Sequence, residues 1–341
     1  MNNLTLFAAT CMPFMTPKNL EAALIVVAGR FDLPGPRSRV SASISEHQLL
    51  PPLEDEYHGE PSSSSLKRDG LGSCPRAGTD VHVCGEAWTL GGQPATETIV
   101  EVRVGPCRRA AVVYGDRYWR RGLAGPRPSA PLPFERVPLT YERSFGGFIG
   151  GARRQAIRDA SERNPVGQGL VPSFTSAVDR ALPNIEDPNQ IIQNPSDLPL
   201  PAGFGPIARH WGPRRVFAGT YDDAWATKHA PLWPADLDER FFRAASPGLQ
   251  APEHLVGGEP VRLVGLHPDG AIEFALPRHR FLAKLRTSVQ TLRLPLALDT
   301  VAIDTMEMVL TMIWKTQVIL RPNIFILEDI VIRMLRDRSS T

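Results

Sequence analysis

The segment from Arg136 to Gln250 places the strongest constraint on the fold, because proline and glycine recur through it at intervals too short for long regular elements. A proline inside a helix removes a backbone donor and costs about 3 kcal/mol. Turn formers, aromatic residues and ionisable residues follow one another there in short, unlike clusters. We therefore expect an irregular region whose shape depends on proline and glycine backbone restrictions and on local hydrogen bonds. Long irregular segments inside a domain often form binding or active surfaces.

The composition of the whole chain is that of a folded globular protein. Of its 341 residues, 42% are hydrophobic and 22% are charged, whereas 33 prolines limit helix throughout. The formal net charge of +2 gives no chain-wide field that would favour nucleic acid. We interpret the arginine pairs as solvated faces, since arginine is rarely buried. These pairs are Arg108-Arg109, Arg120-Arg121 and Arg153-Arg154.

The first residues and the apolar runs of the sequence bear on the cellular location of the protein. The first residues, MNNLTLFAATCMPFM, lack a basic region followed by an apolar stretch and a small-residue cleavage site. No apolar run reaches the roughly 18 residues that span a bilayer. We therefore expect no secretory signal, no membrane insertion and a cytoplasmic location.

Strand patterns dominate the two outer parts of the chain. The apolar, β-branched run from Ala22 to Asp32 predicts a buried strand. Period-two alternation over 98–104, followed by 109–114, predicts two antiparallel strands. The runs 261–266 and 271–276 flank a Pro-Asp-Gly turn and predict a hairpin.

The C-terminal part predicts further strands, Leu296 to Ile303 and Met306 to Lys315. The second has two distinct faces at period two. The stretch from Ile324 to Arg338 fits either a strand or a helix. The predicted apolar face of 306–315 carries Met306, Met308, Leu310, Met312 and Trp314, and the other face carries Glu307, Thr311 and Lys315.

The central segment predicts a few short helices. Residues 152–163 fit a polar helix that ends before Pro165, because the residue before a proline avoids helical dihedrals. Asp222 to His229 fits a second helix. Pro234 opens a third, with an apolar face that buries aromatic residues. That face carries Leu237, Phe241, Phe242 and Ala245.

Together these patterns predict a mainly β fold with antiparallel, sandwich-like sheets and a few short helices in an irregular centre. Residues 1–124 form an N-terminal β-rich part, within which the polar, serine-rich stretch 46–79 is a mobile loop or linker. Residues 125–250 form the central region. Residues 251–341 form a C-terminal β-rich part that packs with the first part as one domain.

Catalytic motifs are absent from the sequence: it has no GxSxG elbow, phosphate loop, HExxH or dinucleotide fingerprint. A pair of carboxylates in the centre could perform glycoside hydrolysis, which makes a β-rich carbohydrate-active hydrolase the alternative function. We favour the view that Asp187, before a proline, and Asp222, ahead of a short helix, act as turn and cap residues. Five carboxylates lie in this region. They are Glu142, Glu186, Asp187, Asp222 and Asp223.

The cysteines match neither paired metal-binding spacings nor a disulfide framework, so we expect reduced, structural thiols. Cys74, His82 and Cys84 could supply three zinc ligands, but a structural zinc site needs a fourth. We therefore expect no metal and no cofactor. The full set of cysteines is Cys11, Cys74, Cys84 and Cys107.

Several ordered blocks of sequence match one bacterial family. They are GTDVHVCGEAW with GGQPATE, RVGPCRRAAVVYGDRYW, PLTYERSFGG, NPVGQG, LPNIEDP, PAGFGPIARHW, AGTYDDAW and PLWPADLDERFFRAA. On these blocks the chain resembles the domain-of-unknown-function family 2169, whose members are often encoded beside type VI secretion components. The resemblance implies an adaptor or chaperone that binds a toxic effector and helps load it onto the VgrG or PAAR spike. It carries over no catalytic residue.

The blocks also supply the candidate partner-binding or motif residues. We expect their aromatic side chains to include exposed anchors, since binding hot spots favour tryptophan and tyrosine. A purely structural subunit would instead present a self-complementary apolar face. The candidates are Tyr141, Glu142, Arg143, Phe145, Gly146, Gly147, Asn164, Pro165, Asn184, Glu186, Asp187, Gly203, Phe204, Gly205, Pro206, Trp211, Gly219, Thr220, Tyr221, Asp222 and Trp225.

Overall fold

The computed structural model describes residues 1–38, 40–148, 161–321 and 323–335, and it confirms the mainly β prediction. Within these ranges the α-helices are α1 (Gly212–Arg215) and α2 (Asp223–His229), and 3-10 turns cover Leu90–Gly92, Tyr141–Arg143, Glu239–Phe242 and Ile324–Ile326. The strands are β1 (Asn2–Asn3), β2 (Ala8–Met15), β3 (Glu21–Asp32), β4 (Ser43–Ile44), β5 (Glu56–Tyr57), β6 (Leu66–Arg68), β7 (Asp80–Cys84), β8 (Glu86–Trp88), β9 (Glu97–Val104), β10 (Cys107–Tyr114), β11 (Trp119–Gly122), β12 (Gly125–Pro128), β13 (Arg136–Pro138), β14 (Phe145–Gly146), β15 (Gln168–Gly169), β16 (Ile185–Glu186), β17 (Pro260–Val264), β18 (Ile272–Ala275), β19 (Arg280–Thr287), β20 (Thr291–Asp304), β21 (Val309–Ile319) and β22 (Leu327–Leu335).

The larger sheet joins the N-terminal and C-terminal parts. Its order is β1-β22-β19-β20-β21-β3-β2, with β7 beside the second half of β20 and β4 beside one end of β3. The β1/β22 and β7/β20 pairs are parallel and the other pairs are antiparallel. Since β3 pairs with β21 and β7 with β20, the two outer parts of the chain share one sheet.

Strand β3 is buried on both faces, which explains its unbroken apolar sequence. Ile25 and Val27 belong to the main core. Leu24 and Val26 point to the other face and pack with Leu71. The strand predicted from Ala22 to Asp32 is confirmed.

The smaller sheet is antiparallel, in the order β16-β10-β9-β17-β18. Val102 of β9 and Leu263 of β17 point inward and join the same core as Phe281 of the larger sheet. Two sheets therefore enclose one core, as in a sandwich. The predicted strand pair around Gly105 and the predicted 261–276 hairpin are both confirmed.

Part of the segment 46–79 differs from the mobile loop that we expected. It forms the β5/β6 hairpin, and Leu66 and Leu71 are fully buried. Leu71 covers the outer face of β3, and Arg76 lies among buried carboxylates. These contacts fix the second half of the segment to the body of the protein.

Other local predictions need correction. In place of the helix expected after Pro234 there is a 3-10 turn, Glu239–Phe242, which the Asp238 carboxylate caps by accepting from the Arg240 N–H. Phe241 and Phe242 are buried as expected. Strand β21 begins at Val309, so Met306 lies in a turn. Residues 327–335 form a strand, which settles the strand-or-helix question for that range. The predicted helix at 152–163 and the pair Arg153-Arg154 fall mainly or wholly outside the described residues.

A buried ionic cluster joins the three parts of the chain. The Arg76 guanidinium contacts Asp69 and Asp299 and lies 3.2 Å from Asp80 Oδ2. Asp299 also lies 3.5 Å from the ammonium of Lys315. Lys315 is on the face of β21 predicted for it, opposite Met312 and Trp314, but it is buried there. The cluster consists of Asp69, Arg76, Asp80, Arg214, Arg243, Asp299 and Lys315.

A β-bulge directs Asp299 into this cluster. The register between β20 and β21 shifts between Leu298 and Thr300, so Asp299 is the extra residue of β20. A bulge of this kind re-aims a side chain out of the regular alternation. Burial alone would raise the pKa of Asp299, but Arg76 and Lys315 hold it below its usual value. The carboxylate is therefore ionised in the folded protein.

We expect Asp299→Ala to destabilise the protein by about 3–5 kcal/mol, because it leaves Arg76 and Lys315 buried without this carboxylate. Urea unfolding followed by circular dichroism measures the change. Asp269→Ala is the control, since the Asp269 side chain is 76% exposed, and it should change stability by less than about 0.5 kcal/mol. Equal effects of the two substitutions would contradict a structural role for the cluster.

Histidine 82 adds a pH dependence to this stability. It lies on β7, and burial lowers its pKa to about 4. Since an unfolded histidine titrates near 6.5, the unfolded state binds a proton that the folded state excludes as pH falls from about 7 to 4. Stability should fall over that window, by at most about 3 kcal/mol from this residue.

The free energy of unfolding measured between pH 7.5 and 4.5 tests this expectation. His82→Gln should flatten the fall, because the side chain no longer titrates. His47→Gln, at an exposed position, should keep the wild-type slope. Identical slopes in wild type and His82→Gln would show that another group sets the pH dependence.

A candidate binding cleft in the central region

A cleft with a volume of about 810 Å³ lies in the central region. Buried side chains of Tyr141, Phe145 and Ile207 contribute to its lining. Three aliphatic side chains also line it although they are 65%, 46% and 72% exposed: Leu198, Leu200 and Val216. Exposed aliphatic side chains that converge on one cleft are typical of a binding surface.

Close packing fixes the ring of Tyr141. Its ring meets that of Trp211 edge-on, with centroids 5.3 Å apart and planes at 87°. On another side the backbone of Gly203 approaches the ring so closely that a Cβ at Gly203 would lie 2.4 Å from two of its carbon atoms. Glycine is therefore required at position 203 by the approach to Tyr141.

Asn164 holds the turn that carries Tyr141 and Phe145. Its Nδ2 donates to the carbonyl oxygens of both residues, at 2.8 and 3.1 Å, and its side chain is fully buried. Gly146 has a φ of 152°, and a Cβ there would lie 2.1 Å from the Asn164 carbonyl oxygen. The backbones of the SFGG and NPVGQG blocks are therefore in direct contact, with no room for a side chain at Gly146.

Asn184 connects the central region to the smaller sheet. Its Nδ2 donates to the Tyr114 carbonyl oxygen at 3.1 Å and to an Asp116 carboxylate oxygen at 3.0 Å. Its Oδ1 accepts from Arg143 and from Gln168. Asn164 and Asn184 thus both stabilise turns through their side-chain amides.

One wall of the cleft is held by Arg109. Its guanidinium donates to the carbonyl oxygens of Pro201, Gly203 and Pro247 at 3.2, 2.9 and 3.0 Å. Prolines, which have no backbone N–H, also line the cleft. The cleft is therefore suited to apolar side chains more than to pairing with an extended backbone. These prolines are Pro199, Pro201, Pro213 and Pro247.

Two of the candidate carboxylates have partners in other segments. The oxygens of Glu142 accept from the Ser65 N–H at 2.6 Å and from the Ser65 hydroxyl at 2.7 Å. Burial would raise the pKa of Glu142, but these hydrogen bonds lower it. Glu186 contacts the Arg117 guanidinium and accepts from the Ile192 N–H at 2.8 Å. Burial raises the pKa of Glu186 in spite of Arg117.

Two other carboxylates stabilise the adjacent backbone. Asp187 accepts from the Asn189 N–H at 2.9 Å, and Asp222 caps α2 by accepting from the Trp225 N–H at 2.8 Å. Of the five candidate acidic residues in the described chain, Asp187 alone lines the cleft. The turn-and-cap interpretation is confirmed for Asp187 and Asp222.

The aromatic candidates are mainly structural. Tyr141, Phe145, Phe204 and Trp211 are buried, so the expectation of exposed anchors is wrong for these four. The rings of Tyr141 and Phe145 line the cleft, Trp211 packs against Tyr141, and Phe204 belongs to the main core. Trp225, on α2, is partly exposed.

A second hollow of about 540 Å³ lies beside other candidate residues. Pro165, Tyr221 and Asp222 line it together with Trp233, whose ring packs at 5.2 Å from that of Tyr221. The neighbouring Thr220 donates to an Asp236 carboxylate oxygen through its N–H and its hydroxyl, and Gly219 has a positive φ of 61°.

Among the described residues, no group of three metal-binding side chains is arranged to hold a metal ion.

Sequence reasoning missed the exposed lining of the cleft. Leu198 and Leu200 alternate with prolines in the stretch LPLPA, and Val216 follows the last residue of α1. A usable signal was the pair of leucines between prolines, since a loop with no strand partner leaves such side chains exposed. The lining also includes Arg109, which we had interpreted as part of a solvated face.

The fold and the cleft define a mainly β protein with an irregular, proline-rich centre. The family model described as an uncharacterized protein conserved in bacteria, DUF2169, matches residues 18–315. The chain belongs to this family. No curated protein and no solved structure has detectable similarity to it. Throughout the described part of the chain, the helices are too short or too polar to cross a bilayer.

We expect Asn164→Ala to destabilise the protein by about 2–3 kcal/mol, because two buried hydrogen bonds are lost. Thermal unfolding measures this change. The control is Asn189→Ala at an exposed position, which should alter stability by less than about 0.5 kcal/mol. A stable Asn164→Ala variant would show that the turn is held without this amide.

Proposed function

We propose that this protein binds other proteins and performs no catalysis. Its role would be that of a type VI secretion adaptor or chaperone, which binds a toxic effector in the bacterial cytoplasm and helps load it onto the VgrG or PAAR spike. The binding role rests on one observation, the central cleft with its exposed aliphatic side chains. The secretion role rests on the resemblance of the ordered sequence blocks to family 2169.

The cleft supports protein binding through its size and its chemistry. About 810 Å³ accommodates several side chains of a partner, and Leu198, Leu200 and Val216 offer apolar contact. Apolar surface that leaves water on binding contributes about 25 cal/mol per Å². Proteins rarely leave grouped aliphatic side chains exposed without such a use.

The rigidity of the walls also supports this role. Arg109 fixes one wall through three carbonyl oxygens, and Asn164 fixes the turn below Tyr141 and Phe145. A preformed surface loses little conformational entropy when a partner binds. The central carboxylates support the absence of catalysis, since Glu142 and Glu186 are engaged by different segments.

We expect Val216→Asp to weaken partner binding by at least about tenfold, because a carboxylate would enter an apolar contact. The partners to test are purified VgrG, PAAR and effector proteins of the same bacterium, measured by biolayer interferometry. Val256→Asp is the matched control, since Val256 is 74% exposed and Val216 is 72% exposed. It should leave the affinity unchanged.

Both outcomes of this experiment are informative. Failure of all three partners to bind at micromolar concentration would contradict the secretion role. Binding that Val216→Asp and Val256→Asp weaken equally would show that the cleft is not the contact surface.

A further inference from the structure

Three arginines form a row across the outer face of the smaller sheet. Arg108 of β10 lies directly opposite Arg103 of β9, which lies directly opposite Arg262 of β17. Adjacent strands are about 4.8 Å apart, so the row extends across roughly 10 Å. Like charges directly opposite each other in a sheet destabilise it. A partner that carries negative charge would offset this repulsion when it binds.

Two glutamates orient the arginines without occupying their outer atoms. Glu101 Oε1 accepts from Arg103 Nε at 2.7 Å and from Arg108 Nε at 2.6 Å, and Glu273 Oε1 lies 3.2 Å from Arg262 Nε. The Nη atoms of these arginines have no hydrogen-bond partner within the described ranges. The side chain of Arg108 is 64% exposed, that of Arg103 is 47% exposed and that of Arg262 is 56% exposed. Each guanidinium is therefore held by its inner nitrogen and has its terminal nitrogens available.

Apolar side chains continue the same face. Ile99 is 61% exposed and lies opposite Val112, which is partly exposed. Val264 of β17 lies opposite Glu101 and is also partly exposed. A cationic row beside exposed aliphatic residues resembles the mixture of arginine and apolar surface found at protein interfaces.

We propose that this row, Arg103, Arg108 and Arg262, is a second docking surface, which binds an acidic stripe on a helix of a partner protein. Side chains three or four residues apart on a helix are 5–6 Å apart, close to the spacing of the row. Alternate residues of an extended segment are about 6.8 Å apart and match it less well. Carboxylates pair with the terminal nitrogens of arginine in short, charge-assisted hydrogen bonds.

The charges of the face favour this occupant over two others. A second copy docked face to face would place one arginine row on another, which is repulsive. A nucleic acid would bring its phosphates close to Glu101 and Glu273, and the chain has a net charge of only +2. A protein helix avoids this repulsion by placing aliphatic residues next to its acidic stripe.

This surface is separate from the central cleft. Residues 108 and 109 are neighbours on β10, so their side chains point to opposite faces of the sheet. Arg108 joins the row, and Arg109 reaches the cleft wall. The inference goes beyond the proposed function, and either surface can be present without the other.

Two fluorescein-labelled, alanine-based helical peptides of equal composition test the proposal by fluorescence anisotropy. One has three glutamates in a stripe at i, i+4 and i+7 next to leucines, and the other has these glutamates distributed around the helix. The striped peptide should bind at least about fivefold more tightly, and more weakly at 300 mM than at 50 mM salt. Arg103→Gln should reduce that affinity about tenfold, since it removes the central arginine.

Arg286→Gln is the matched control. Arg286 lies on β19, is 64% exposed, and has its Nε 3.2 Å from Glu328, but its strand neighbours are Asp329 and Thr291. This substitution should leave peptide binding unchanged. The proposal would be overturned by equal affinity for both peptides, by no binding, by equal losses in Arg103→Gln and Arg286→Gln, or by tighter binding of a single-stranded oligonucleotide of equal charge.

Discussion

The buried ionic cluster is the interaction on which the arrangement of the chain depends. Ions taken from water lose several kcal/mol of solvation each, and they regain it only when all partners are in place. Asp69 and Arg76 come from the first part of the chain, Arg214 from the centre, and Asp299 and Lys315 from the last part. An arrangement that displaced any of these parts would leave charge buried without a partner. The cluster therefore acts against misassembly more than it adds to net stability.

The regular part of the fold was accessible from sequence because its cause is local. Apolar period and turn chemistry predict β3, the β9/β10 pair and the β17/β18 hairpin, and these elements formed where expected. The buried ionic cluster could not be predicted from the sequence, because its members are far apart along the chain. A bulge takes Asp299 out of the alternation, and Lys315 sits in the polar phase of β21. Arg76 lies in a serine-rich segment that has the composition of a linker.

In the candidate site, the residues that support the cleft could be recognised in the sequence, whereas the exposed residues that line it could not. Irregular backbone can be fixed only by residues with special dihedrals or side-chain amides, which makes the blocks around Tyr141, Asn164 and Gly203 conspicuous in the sequence. These residues became the internal support of the cleft. Surface that contacts a partner needs only to be apolar and exposed. Leu200 and Val216 meet that need with ordinary residues, so the sequence contains no strong mark of them.

The two proposed surfaces are linked mechanically through β10. Successive side chains of a strand point to opposite faces, so Arg108 and Arg109 belong to different surfaces although their Cα atoms are neighbours. Arg109 is held by three carbonyl oxygens of the cleft wall, and Asn184 joins the centre to the carbonyl oxygen of Tyr114 at the other end of β10. Partners on the two surfaces would thus be held at a fixed separation and angle. Such a geometry suits a protein that joins two others, because a rigid link keeps the second binding event intramolecular.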